Sequence, residues 1–94
     1  MTFLFVYKPL REGFRPDSLS PLEEIAIKEH FEFLKNHHEQ DELYIAGRRV
    51  DGEYGFAIVK AEDFAAAVSK SEQDPAVKKG VFRVEVHPFV LALY

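Results

Sequence analysis

Two stretches of this chain are apolar on both sides of an extended backbone, and nothing else in its 94 residues restricts the fold as much. Successive side chains of a strand point to opposite faces. In Phe3–Lys8, Phe3, Phe5 and Tyr7 therefore oppose Leu4 and Val6, and in Tyr54–Val59 Tyr54, Phe56 and Ile58 oppose Ala57 and Val59. A strand with no wet face belongs in the middle of a sheet that is covered on both sides. Val81–His87 alternates Phe82, Val84 and Val86 against Arg83, Glu85 and His87, which suits an edge. Leu43–Arg49 reads as a further strand, joined to Tyr54–Val59 by the turn signal Asp51-Gly52.

Between the strands lie two helical patterns. Ser20, Pro21 and Glu23 supply a cap, a first-turn proline and the closing residue of a capping box, and predict a helix from Pro21 to about Glu39. At helical spacing its apolar half holds Leu22, Ala26, Ile27, Phe31, Phe33 and Leu34, with His30 near the centre. A second helix is expected from Glu62 to about Ser71, with Glu62 and Asp63 in its first turn and Phe64, Ala67, Val68 and Ser71 as its buried stripe. Asp74-Pro75 restarts a short helical turn that Gly80 ends.

The order strand, helix, strand, strand, helix, strand predicts an α+β, ferredoxin-like βαββαβ fold in one domain spanning residues 1–94, a four-stranded antiparallel sheet with two helices on one face. Those helices leave the second face, with half of the Phe and Tyr residues, for another subunit, so a homodimer is expected. Pro9–Ser20 is loop chemistry, and long for so small a domain.

Net charge and composition narrow the function. Sixteen acidic against twelve basic residues, and no Lys/Arg run, argue against nucleic acid or an anionic membrane as partner. The lack of cysteine removes disulfides, thiolate nucleophiles and Cys-based zinc sites. No apolar run approaches 18 residues and no basic-then-apolar leader occurs, which points to a cytoplasmic protein. No nicotinamide, flavin or phosphate-cradling motif is present, so no cofactor is expected. Nor is a metal: His30 and His37 are two helical turns, roughly 10 Å, apart along the axis, and no HExxH-like spacing occurs.

An imidazole turned toward a core either finds a hydrogen-bonding partner there or faces a cavity, because an unpaired buried polar group costs about 1–3 kcal/mol. A carboxylate would serve, since it orients an imidazole for proton transfer near neutral pH, but helical spacing names none. The plainer readings are that Asp74 only caps the turn at Pro75 and that His30 is a satisfied core residue. Arg11, Arg15 and Arg48 are candidate substrate-binding residues because guanidinium pairs bidentately with carboxylates. With Arg49, they are otherwise solvated charges. Ser20 is explained as a cap, and His87 as exposed.

Three segments together resemble the YciI-like (YCII-related) family of the dimeric α+β barrel class. They are His30 with Ala46-Gly47 ending the next strand, the run Asp74-Pro75-Ala76-Val77-Lys78-Lys79-Gly80-Val81, and Val84-x-Val86-x-Pro88-Phe89. The chain departs from the family pattern at Arg48-Arg49, where Gly-Pro often follows, and in its longer Pro9–Ser20 loop. The resemblance implies a dimeric α+β barrel in which His30 and Asp74 line a pocket between helix and sheet as an acid-base pair. The function implied is cofactor-free isomerase or lyase chemistry, dehydrochlorinase-like, on a small cyclic or aromatic organic acid. The alternative is a non-catalytic module that binds a small molecule or supports assembly with the same dimeric fold.

Overall fold

In the computed structural model, which describes residues 1–94, the elements are β1 (Thr2–Pro9), α1 (Pro21–Glu39), β2 (Leu43–Arg48), β3 (Gly55–Lys60), α2 (Phe64–Glu72), α3 (Pro75–Lys78) and β4 (Phe82–Pro88). The strands form one antiparallel sheet in the order β2-β3-β1-β4. The two strands without a polar face are central, and the other two are edges. This is the ferredoxin-like α+β arrangement, with the helices on one face.

Register explains the core. Phe5 stands between Ala57 and Val86, and Phe3 between Val59 and Pro88, so these side chains share the helix-covered face with Tyr7. Phe3, Phe5 and Tyr7 are no more than 2% exposed, and Leu34 of α1 and Ala67 of α2 close over them. Each large apolar side chain so withdrawn from water contributes roughly 1.5–3 kcal/mol. A second cluster joins Ala26 of α1, Ala76 of α3 and Val81, where methyl side chains let the two helices approach closely. Lys79 pairs with Glu29 across the same contact.

The opposite face is divided. Leu4, Val6 and Ile58 give it an apolar half. Lys8, Arg83 and His87 surround Glu85, whose carboxyl is held down to about 2 by its hydrogen bonds, that from Arg83 first. Past β4, the Phe89 amide donates to the Thr2 carbonyl, and the tail brings Tyr94 within 5.6 Å of Tyr44, ring centre to ring centre. Val90, Leu93 and Tyr94 remain 86–93% exposed.

Three details differ from expectation. On α1, Leu22 and Phe31 are 55% and 64% exposed, whereas Glu23 is buried. The inward line runs through Glu23, Ala26, Ile27, His30, Phe33 and Leu34, turned away from the stripe that hydropathy alone selects. The second helix starts at Phe64, because Asp63 is its N-cap, accepting from the Ala66 amide, and Glu62 lies before it. Phe64 is therefore at the helix end and half exposed, with only Ala67 and Ser71 fully buried. Finally, β3 begins at Gly55, leaving Tyr54 in the hairpin connection.

Candidate active site

The site is built from α1, the long loop before it and the short helix α3. At the start of α1 the capping box is complete: the Ser20 hydroxyl accepts from the Glu23 amide, and Glu23 Oε1 accepts from the Ser20 amide at 2.8 Å. The same carboxylate receives Arg11 in bidentate fashion, Nε to Oε2 at 2.8 Å and Nη2 to Oε1 at 3.1 Å. Arg11, then the Ser20 amide, hold the Glu23 carboxyl down to about 2. Arg11 also donates to the Ser18 carbonyl. This pins both ends of the Pro9–Ser20 loop to the helix and lays Phe14, Pro16 and Leu19 over the space beside His30.

About two turns beyond Glu23 on α1, His30 reaches α3. Its Nδ1 lies 2.6 Å from Asp74 Oδ2. Asp74 is fully buried, and its other oxygen accepts the Ala76 amide at 2.9 Å as the N-cap of α3. A carboxylate only accepts, so Nδ1 carries a proton and the neutral ring's lone pair is on Nε2. The local sequence explains the position of Asp74. Pro75 fixes the first helical residue, and Gly80, at φ +74°, turns the chain into β4 after a single helical turn. The His30 side chain is 15% exposed, its ring edge-on to Tyr7 and Phe82 at 4.8 and 5.3 Å.

His30 lines a cavity of about 260 Å³ whose walls include Tyr7, Phe14, Tyr54, Phe56 and Phe82, with Arg48 its one Lys or Arg residue and no carboxylate. Tyr7 adds a functional group that the sequence marks only as a core position of β1. Burial, followed by the negative charge of Asp74, pushes its phenol far above the ordinary range, so it stays protonated. Its hydroxyl is fully buried beside Asp74, without a hydrogen bond of good geometry. The acceptor beside it is the Asp74 carboxylate, so the phenol ring and not its hydroxyl forms the cavity wall. Gly47 and Gly55 line the same cavity on neighbouring strands, and a Cβ on Gly55 would come within 3.2 Å of the Gly47 carbonyl oxygen.

The arginines separate. Arg48 is in the cavity wall and uses one nitrogen to hold the Arg49 and Val50 carbonyls, leaving Nε and Nη2 uncommitted. Arg11 is occupied by Glu23, and Arg15 faces Asp17 at 3.5 Å in solvent; neither lines the His30 cavity. His37 bonds the Phe33 carbonyl, and no group of three or more His, Asp or Glu side chains is placed to hold a metal ion.

A model of the YCII-related domain matches residues 9–90. The chain belongs to the YCII-related family. Among solved structures the YCII-related chain is similar to 5-chloro-2-hydroxyhydroquinone dehydrochlorinase (TftG) from Burkholderia phenoliruptrix AC1100, in complex with 2,5-dihydroxybenzoquinone. The two are 23% identical, with a TM-score of 0.64 over 96% of this chain and 94% of that one, a likeness of fold. No curated protein matches the sequence. No helix of the YCII-related chain is long and apolar enough to cross a membrane.

Proposed function

We propose that this YCII-related protein is a small-molecule enzyme that moves protons on a small cyclic or aromatic organic acid without a cofactor, as an isomerase or lyase. The observation that carries the reading is His30 Nδ1 at 2.6 Å from a fully buried carboxylate, with the same imidazole in the wall of an aromatic cavity. Asp74 orients the ring and stabilises the imidazolium formed when Nε2 takes a proton from substrate. The protonated Tyr7 phenol stands beside Asp74 and helps to hold that carboxylate toward His30. Arg48 meets the acid group with its free N–H donors. Arg11 acts through Glu23 to hold the loop that forms the cavity's roof. Arg15 can reach an anion only as it approaches that loop from solvent.

The test is solvent deuterium incorporation into a panel of small cyclic and aromatic acids in D₂O, followed by NMR. Wild type should exchange at least one carbon-bound proton, and His30→Gln should slow that exchange by about 10²-fold or more while keeping its fold. Exchange that survives in His30→Gln would remove the histidine from the mechanism.

The working unit we propose is a homodimer formed through the sheet's uncovered face, giving a dimeric α+β barrel in the cytoplasm. The apolar half of that face and the exposed Val90, Leu93 and Tyr94 beside it support this. A monomer by sedimentation at micromolar concentration would contradict it.

A further inference from the structure

The His30 cavity is not closed on every side. Between α1 and β2 a groove of about 510 Å³ runs along the surface, and five residues of its lining, Ile27, His30, Leu34, Gly47 and Arg48, also line the His30 cavity. The two spaces adjoin at these five residues, an imidazole and a guanidinium among them. The second arm is mostly apolar, with Phe31 64% exposed on its rim and Ala46 exposed on its lining.

Its charge is as particular as its shape. In a chain with sixteen acidic residues and twelve basic ones, the groove is lined by Lys35, His38 and Arg48 and by no Asp or Glu. Neither Lys35 nor Arg48 meets a carboxylate within the chain. An apolar trough edged by unneutralised cations favours an apolar anion over a neutral or cationic ligand of equal size.

We infer that the site is bipartite and takes an aromatic carboxylate bearing an alkyl arm, the ring beside His30, the carboxylate at Arg48 and the arm in the α1–β2 groove. The inference rests on the reading of the His30 cavity as a ligand site, and the test separates the two. Calorimetric titration with benzoate and then 3-alkylbenzoates up to 3-pentylbenzoate should show affinity rising about two- to fourfold per buried carbon, so that 3-pentylbenzoate binds on the order of 30-fold tighter than benzoate or better. In Ala46→Trp, which fills the groove, the ratio of the two affinities should fall toward one, and Phe31→Ser should lower it part of the way. A flat series in a protein that binds benzoate overturns the second arm and leaves the first. Failure of every benzoate to bind overturns both. A ratio unchanged in Ala46→Trp places the alkyl arm elsewhere, and a dimer split by Phe31→Asp in sedimentation assigns the groove to a second copy of the chain; either result overturns the inference.

Discussion

Asp74 has two duties that a pair of substitutions can separate. One oxygen caps α3 through the Ala76 amide at 2.9 Å, and the other faces His30 Nδ1 at 2.6 Å, with no part of the residue exposed. Asp74→Ala removes the cap, at about 1 kcal/mol, and leaves an imidazole nitrogen without a partner in a mostly enclosed position, at about 1–3 kcal/mol. The sum of about 2–4 kcal/mol should lower the urea midpoint by about 1–3 M. Asp74→Asn keeps a carbonyl oxygen for Ala76 and should cost less than about 1 kcal/mol. Its amide nitrogen then faces Nδ1 as a donor, so the neutral ring must move its proton to Nε2, losing the lone pair a base needs. Urea unfolding read beside ¹⁵N imidazole shifts of His30 checks both halves. Equal stability of the Ala and Asn variants, or an Asn variant that keeps its proton on Nδ1, would refute the division of labour.

Tyr7→Phe should leave stability in urea unfolding unchanged or raise it by up to about 1 kcal/mol, because a buried hydroxyl without a well-formed hydrogen bond is a cost removed; a loss above about 2 kcal/mol would show that Asp74 is its structural partner. Glu23→Gln should be less stable than wild type at pH 7. The folded carboxyl sits at about 2 against an ordinary 4.5, so its stabilisation is complete above about pH 4.5 and fades as pH falls toward 2. The two proteins should converge there in urea titrations, and a gap independent of pH would contradict the ion pair. Gly52→Ala meets a φ of +79° and places a Cβ 2.7 Å from Pro16 Cδ. It should cost at least about 1–2 kcal/mol in urea unfolding and loosen the Pro9–Ser20 loop to limited proteolysis, whereas an unshifted midpoint would show that the loop does not rest on the hairpin.

Much of the fold is legible because it depends on alternation. Phe3, Phe5 and Tyr7 against Leu4 and Val6 place β1 in the centre without reference to any other strand, and Arg83, Glu85 and His87 place β4 at the edge. Ser20-Pro21 and Asp74-Pro75 mark their helix starts because caps act within three residues. The inward face of α1 is harder to read. Hydropathy weighs Leu22 and Phe31 above Glu23, yet Glu23 is the residue that Arg11, twelve positions earlier in an aperiodic loop, brings inside. Glu62 and Asp63 fit a first turn as well as a cap, which shifts the start of α2 by two residues.

The candidate site is legible only in part, for a related reason. Helical spacing turns His30 inward but says nothing of a residue 44 positions away, and the pairing with Asp74 enters through the family resemblance. Tyr7 shares the parity of Phe3 and Phe5, so its hydroxyl disappears into a core pattern. The available signal was chemical: a tyrosine at the last inward position of a central strand carries a donor that a phenylalanine there would not. Arg11, Arg15 and Arg48 have equal standing in the sequence. Only the fold separates the one in the cavity wall from the one held by Glu23 and the one in solvent.

The central claim is that His30 presents Nε2 to a bound organic acid while Asp74 holds Nδ1. A crystal structure of the protein soaked with benzoate tests it directly. The account predicts density for the ring beside His30, with its carboxylate on Arg48 and a ligand atom within hydrogen-bonding reach of His30 Nε2. An unchanged cavity at saturating benzoate, or benzoate bound only away from His30, would contradict it.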